Sequence, residues 1–315
     1  MSPRKQWPRE AAARDLRRLL RGQIREDVPL ARYTTYRVGG PADLFVRPAH
    51  LEDLVRLVGY VRERGISTLV LGKGANLLVN DRGFRGIVIS LLRRLDDVDV
   101  RDRVARVGAG AVLEKVLWQF AEQGLRGLER LIGIPGTIGG AIHMNAGAFG
   151  QEIFDRVRRV QVVEGAGQVR WLDRGEIPFG YRRGLTDPDR IVTAVELELE
   201  AGNPGELREI MSEILLRRKR KQPLSYPSAG SVFKRPPGHY AGALIEQAGL
   251  KGAKIGGAMV SFKHANFILN KGGATAEDIY RLIRLIQETV YRKFGVQLEL
   301  ENELVGWDDG EAEPP

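Results

Sequence analysis

Apolar residues recur along this chain with two spacings, and the changes between them mark which segments coil and which extend. In "LEDLVRLVGYVRER", Leu51, Leu54, Val55, Val58 and Val61 fall on one side of a 3.6-residue repeat. That predicts an amphipathic helix closed by Gly65. "DLFVRP" before it and "STLVL" after it read as strands, making a βαβ unit that ends at "GKGANLLVNDRG". A short basic helix, about 10–22, and an extended lead-in come earlier. Short strands are expected at "GIVIS", "DVDV" and "RVARV", then a helix over 113–123 with Val116, Leu117 and Phe120 inward. "VRRVQVV" and "QVRWL", joined by "EGAG", have the form of a hairpin. "VELELE" alternates strictly, as a half-buried strand does.

The pattern changes around 201–204, and a domain boundary is placed there. A helix over 206–219 carries Leu207, Ile210, Met211 and Ile214 on one face and ends in the basic run "LLRRKRKQP". A helix near 240–248 and strands at "AMVSF" and "NFILN" precede a long helix opening at Thr275, where Asp278 completes a capping-box spacing. "QLELENELVG" reads as the last strand, with Glu299, Glu301 and Glu303 on one face. "WDDGEAEPP" is an acidic tail expected to be disordered.

One segment fits neither period. "GIPGTIGGAIHMNAGAFG", residues 133–150, holds six glycines, and no charged residue occurs from Leu131 to Gln151. Gly136, Gly139, Gly140, Pro135, Asn145 and His143 would burden a lone helix in lipid. The interleaved Ile132, Ile134, Ile138, Ile142, Met144 and Phe149 want burial, which a linker does not offer. Close backbone approach to a ligand remains, with a tightly packed structural turn as its rival.

Composition narrows the field. The 315 residues are 43% hydrophobic and 28% charged, ordinary for a globular chain of two or three domains. With no cysteine there is no disulfide, thiolate chemistry or cysteine-bound metal. "MSPRKQWPRE" lacks the apolar stretch of a secretory signal, so the cytoplasm is expected. A net charge of +9 suits an anionic partner, and no recognised nucleic-acid module accompanies the basic run. "GKGANL" and "GAGAVL" open like the dinucleotide fingerprint, yet Leu77 and Leu113 stand where its third glycine or alanine belongs. No helix is expected after the first, and no Walker loop occurs. Two glycine-rich elements outside the standard nucleotide sites suggest a nucleotide laid between two subdomains, its diphosphate held by loop N–H groups.

"YTTYRVGGPADLF", "VLGKGANLLVND", "GIPGTIGGAIHMNAGAFG", "FGYRRG", "PSAGSVFKRP" and "LELENELVG", in that order, resemble the UDP-N-acetylenolpyruvoylglucosamine reductases over about 31–306. The resemblance implies an α+β chain: an FAD-binding domain of the vanillyl-alcohol-oxidase type over 31–203, in subdomains of about 31–90 and 91–203, then a substrate domain over 204–306. A helical lead-in would occupy 1–30 and the tail 307–315. It implies non-covalent FAD, NADPH as co-substrate, and a UDP-sugar enolpyruvyl ether reduced for peptidoglycan synthesis. No metal, nucleic acid, membrane insertion or obligate protein partner is expected. The FAD would lie against Gly72, Lys73, Gly74, Ala75, Asn76 and Leu77 and against Pro135, Gly136, Thr137, Gly139, Gly140, Asn145 and Gly147, with Thr137 and Asn76 as polar contacts.

The family's catalytic residues carry over to Arg182, holding the substrate carboxylate, Ser231, donating the proton, and Glu303, assisting at the same carbon. Tyr181, Lys221, Arg235 and His264 fall at or near positions that contact the diphosphate or sugar. Two departures stand out. Arg235 replaces the usual asparagine after "SVFK", and Arg183 and Gly184 follow "GYR" where the family shows a residue and then serine. The chain resembles the shorter subtype, which lacks a tyrosine-bearing insert. Without the resemblance, Arg182 reads as a strand-end charge, Ser231 as a turn residue and Glu303 as a solvated carboxylate. Another flavin oxidase of the superfamily is the alternative activity.

Overall fold

The computed structural model describes residues 7–307, so the expected tail beyond Trp307 lies outside the described residues. Two compact units form. The first takes the chain up to Val28, Ala42–Lys73 and Arg85–Leu216; the second takes Pro29–Pro41, Gly74–Phe84 and the chain from Arg217 onward. The division falls inside a helix, between Leu216 and Arg217, where the sequence pattern pointed to 201–204.

The first unit has two sheets. Helix α1 (Arg9–Leu19) leads into β1 (Gln23–Pro29), so the extended lead-in is a strand. β2 (Pro41–Arg47), α2 (Leu51–Glu63) and β3 (Thr68–Leu71) follow as expected. Gly65, at φ +60°, lets its own N–H reach the Arg62 carbonyl and that of Ile66 reach Val61, a Schellman closure of α2. The sheet order is β1-β2-β5-β3, with β5 (Phe84–Ser90) parallel to β3 and inserted between the strands of the βαβ unit.

The second sheet is antiparallel, in the order β12 (Gln168–Asp173), β11 (Val157–Glu164), β13 (Arg190–Glu198), β7 (Val104–Gly108), β6 (Val98–Arg101). The β11–β12 hairpin is as predicted. "VELELE" alternates as expected, with Val195, Leu197 and Leu199 buried and Glu198 and Glu200 exposed; upstream, Ile191–Val195 are all buried, because β13 is central and α4 (Ile138–Met144) packs on it. α3 (Leu113–Glu122) starts at the leucine of "GAGAVL", but β7 is antiparallel to both neighbours and opens no parallel nucleotide unit. Two short pairs complete the unit: β8 (Leu125–Arg126) with β14 (Glu200–Ala201), and β9 (Gly147–Ala148) with β10 (Gln151–Glu152).

α5 (Pro204–Lys221) runs through the division. It buries Leu207 and Met211, whereas Ile210, expected on the same face, is 39% exposed. In the second unit α6 (Ala241–Gln247), the sheet β15 (Lys254–Ile255), β16 (Ala258–Val260), β17 (Ile268–Asn270), and α7 (Ala276–Phe294) enclose a separate core. The Thr275–Asp278 capping box forms, and Asp81 accepts the N–H groups of Ala276 and Glu277 as well. The last segment is a strand only over β18 (Glu303–Val305), parallel to β4 (Leu77–Val79). Upstream, the N–H groups of Glu301 and Asn302 both turn to the Val232 carbonyl, so Glu299, Glu301 and Glu303 do not line one strand face. Among the described residues no helix is long and apolar enough to cross a membrane.

Candidate active site

In the first unit the glycine segments converge. A Cβ on Gly72 would fall onto Thr137 Oγ1, and one on Gly139 would lie 3.0 Å from Ala109 Cβ, so Gly72 packs on the Thr137 side chain and "GAGAV" meets "GIPGTIGG" at Ala109 and Gly139. The middle of the long segment is not loop but the short helix α4, capped by Thr137, whose hydroxyl oxygen accepts the Gly140 N–H at 3.3 Å. Ile138 and Gly139 donate to the carbonyls of Ala111 and Ala109, so the first N–H groups of α4 are already paired. No acceptor among the described residues pairs with the N–H of Lys73, Gly136 or Thr137. A Cβ on Gly136 would meet nothing within 4 Å, and one on Gly140 only Thr137 Oγ1 at 3.6 Å. The result is an uncharged floor of backbone with main-chain donors in it. A planar ring system and a diphosphate fit such a surface.

At the far end of α4, Asn145 is the helix cap at φ +45°, which asparagine tolerates. It is buried, and its amide donates to Glu152 Oε2 at 2.6 Å and to the Gly180 carbonyl at 2.9 Å. Asn145 therefore braces the neighbouring turn. Gly147 pairs with Glu152, and its missing side chain leaves room for Arg182 Nη1, which would stand 3.2 Å from a Cβ there.

Arg182 sits in a two-residue turn closed by Gly180 and Arg183, at φ +54°. A non-glycine residue in that region is strained, and strain of this kind concentrates at functional sites. Its guanidinium lies 5.0 Å over the ring of Tyr181, which is itself exposed. The turn is seated on α4: Gly184 donates to the His143 carbonyl, Leu185 to that of Ile142, and a Cβ on Gly184 would collide with the Ile142 oxygen.

The second unit gathers Ser231, Asn76 and Glu303. Ser231 follows Gly230, at φ +76°, and its hydroxyl makes no hydrogen bond within the described residues. Asn76 donates to the Glu301 carbonyl at 2.8 Å and accepts from Asn302 at 3.0 Å, while its own carbonyl receives the Glu303 N–H. Gly74, at φ +59°, lies so close to the Tyr33 carbonyl that no Cβ fits; Ala75 is half-buried and Leu77 opens β4. Lys221 ends α5, exposed, in a turn fixed by Lys263 donating to the Lys219 carbonyl. Arg235 lies 4.1 Å over the Tyr240 ring. Burial pushes the His264 imidazole below its ordinary pKa, and its Nδ1 is buried without a partner. No group of three His, Asp or Glu among the described residues is arranged to hold a metal ion.

Residues 42–173 match the FAD binding domain family, and 222–305 match the UDP-N-acetylenolpyruvoylglucosamine reductase C-terminal domain. The UDP-N-acetylenolpyruvoylglucosamine reductase of Anoxybacillus flavithermus is 44% identical over 287 residues, 90% of this chain and 95% of that one. That of Caldanaerobacter subterraneus is 45% identical over 289 residues, 91% and 95% of the two chains. The chain belongs to the UDP-N-acetylenolpyruvoylglucosamine reductase family. The crystal structure of UDP-N-acetylenolpyruvylglucosamine reductase from Thermus caldophilus superposes with a TM-score of 0.79 at 39% identity, covering 90% of this chain and 99% of that one. The expectation of an α+β reductase with an FAD-binding domain ahead of the family's own C-terminal domain is met.

Membership gives the departures a meaning. At one of them, Gly184, the missing side chain allows direct backbone contact to α4. Sequence reading did not single out Tyr36 or Asn302, although both lie inside quoted motifs; an asparagine between glutamates in "ENE" was the available signal.

Proposed function

We propose that the chain reduces the enolpyruvyl ether of UDP-N-acetylglucosamine-enolpyruvate to UDP-N-acetylmuramate, with NADPH as hydride source and non-covalent FAD as carrier. The observation that carries this reading is the open, side-chain-free surface at Gly136 and Gly140 with main-chain donors around Thr137. Lys73, Gly136 and Thr137 would hold the flavin nucleotide there. When bound, FAD would supply the hydride chemistry, from NADPH to the methylene carbon of the enolpyruvyl double bond.

Hydride addition leaves an electron pair on the adjacent carbon, shared with the substrate carboxylate. Arg182 binds that carboxylate with its planar fork and stabilises the developing charge. Ser231 donates the proton to the same carbon. Glu303 assists there, and Lys221 and Arg235 face the diphosphate charge. On this reading the reaction runs in the cytoplasm, where its nucleotide substrates would be supplied. A flavin oxidase of another kind would leave the match over 222–305 without a role.

The test is anaerobic titration with NADPH, then with the enolpyruvyl sugar nucleotide, following flavin bleaching and recovery. Ser231→Ala should bleach at near wild-type rate and recover at least roughly 10²-fold more slowly. Arg182→Lys should slow recovery strongly while bleaching falls much less, because lysine keeps the charge but loses the fork. Recovery of the alanine variant within a few-fold of wild type would return Ser231 to the status of a turn residue.

A further inference from the structure

Behind Ser231 lies a buried amide that the reaction does not use directly. Asn302 is 3% exposed, and both polar atoms of its side chain are paired. Nδ2 donates to Asn76 Oδ1 at 3.0 Å, to the Ala229 carbonyl at 3.1 Å and to the Ser231 carbonyl at 3.2 Å. Oδ1 accepts the Tyr36 hydroxyl at 3.1 Å. The partners fix the orientation of the amide, since the two main-chain carbonyls can only accept.

The two carbonyls flank Gly230, the residue at φ +76° on which the serine turn pivots. Glycine restricts its own backbone least, so a turn built on it stays in one shape only if something outside grips it. Asn302 is that grip. It belongs to the same short segment as Glu303, and its N–H and that of Glu301 both reach the Val232 carbonyl, on the other side of Ser231. Tyr36 is wholly buried and stands behind the amide. Packing alone would be served by an apolar side chain here; a fully paired amide sets one geometry instead of filling space.

We propose that Asn302 is a positioning residue for the proton donor: by holding the carbonyls of Ala229 and Ser231 across Gly230, it keeps the backbone of the Ser231 turn, and so the point from which the hydroxyl projects, in one place, with Tyr36 locking the amide. The inference rests on the reading of Ser231 as donor. Asn302→Asp keeps the shape but sets a carboxylate oxygen against the two carbonyls. It should retain FAD, bleach normally with NADPH and leave the KM for the enolpyruvyl substrate within about twofold, while flavin recovery slows roughly 10- to 10²-fold.

The deciding measurement combines variants. In a Ser231→Ala background, Asn302→Asp should slow recovery by less than about twofold, because the group it positions is gone. Equal slowing in both backgrounds overturns the proposal. If Ser231→Ala alone leaves recovery intact, the donor assignment itself fails, and the single variant reveals this without reference to Asn302. Should Asn302→Asp lose its flavin, Tyr36→Phe serves in its place, removing only the hydroxyl. It should slow recovery a few-fold in wild type and not in Ser231→Ala, and a Tyr36→Phe enzyme with wild-type recovery overturns the proposal.

Discussion

Two adjacent glycines in α4 have opposite reasons to be glycine. A Cβ on Gly139 would press on Ala109 at 3.0 Å and on its carbonyl at 3.1 Å, whereas one on Gly140 faces only Thr137 Oγ1 at 3.6 Å. Gly139→Val should therefore lower the melting temperature of flavin-free protein, an overpacking loss of about 1–3 kcal/mol. Gly140→Val should leave that melt unchanged yet hold FAD at least about tenfold more weakly, a loss of about 1.4 kcal/mol. Thermal melts and flavin titration of the two variants check this, and identical behaviour would refute a ligand-facing role for Gly140. Asn145, at positive φ without being glycine, shows the converse: its side-chain amide bonds Glu152 and Gly180, and the backbone strain is accepted.

At the scale of elements, the five-stranded sheet carries a row of alternating charge. Cross-strand pairing aligns Asp99, Arg106, Glu196, Arg159 and Asp173, one from each strand. Arg159 grips both oxygens of Glu196 at 2.7 Å and lies 4.6 Å over the Trp171 ring. The hydrogen bond from Arg159 holds the Glu196 carboxyl below its usual value of 4.5. A depressed carboxylate contributes stability above its unfolded pKa and loses it as pH falls through the folded value. Wild type should then melt slightly above Glu196→Gln at neutral pH, and the gap should close as the pH drops below about 4. A gap independent of pH would mean that the pair acts through packing alone. Such ladders were hidden in the sequence, because register is a property of pairing and not of any single strand.

For the whole molecule, the chain passes between the two units five times, among them at Lys73–Gly74, inside a segment expected to meet the flavin, and last at Leu216–Arg217, inside a helix. Each unit keeps its own core. A ligand that binds only the folded form adds stability by mass action, about 2.7 kcal/mol at a hundredfold excess over its dissociation constant. Flavin-stripped protein should melt lower than the holoenzyme and regain the difference as FAD is titrated back. A melt indifferent to FAD would count against the glycine floor as its seat.

Much was legible in the order of residues alone. The helices α2, α3 and α7, the β11–β12 hairpin and the capping box at Thr275 follow from period and local side-chain chemistry, which act over a few neighbours. The ordered motifs carried the family. What tertiary structure decided were the long-range matters. It showed that β5 enters between β2 and β3, that the first half of β13 is buried on both faces, and that "QLELENELVG" bends onto Val232 before its last three strand residues. It turned Asn145 and Asn76 toward protein acceptors, and it made Asn302 a hub whose partners lie 71, 73, 226 and 266 residues away. A pattern along the chain records how each residue stands toward water; which distant carbonyl an amide meets depends on how separate segments close on one another.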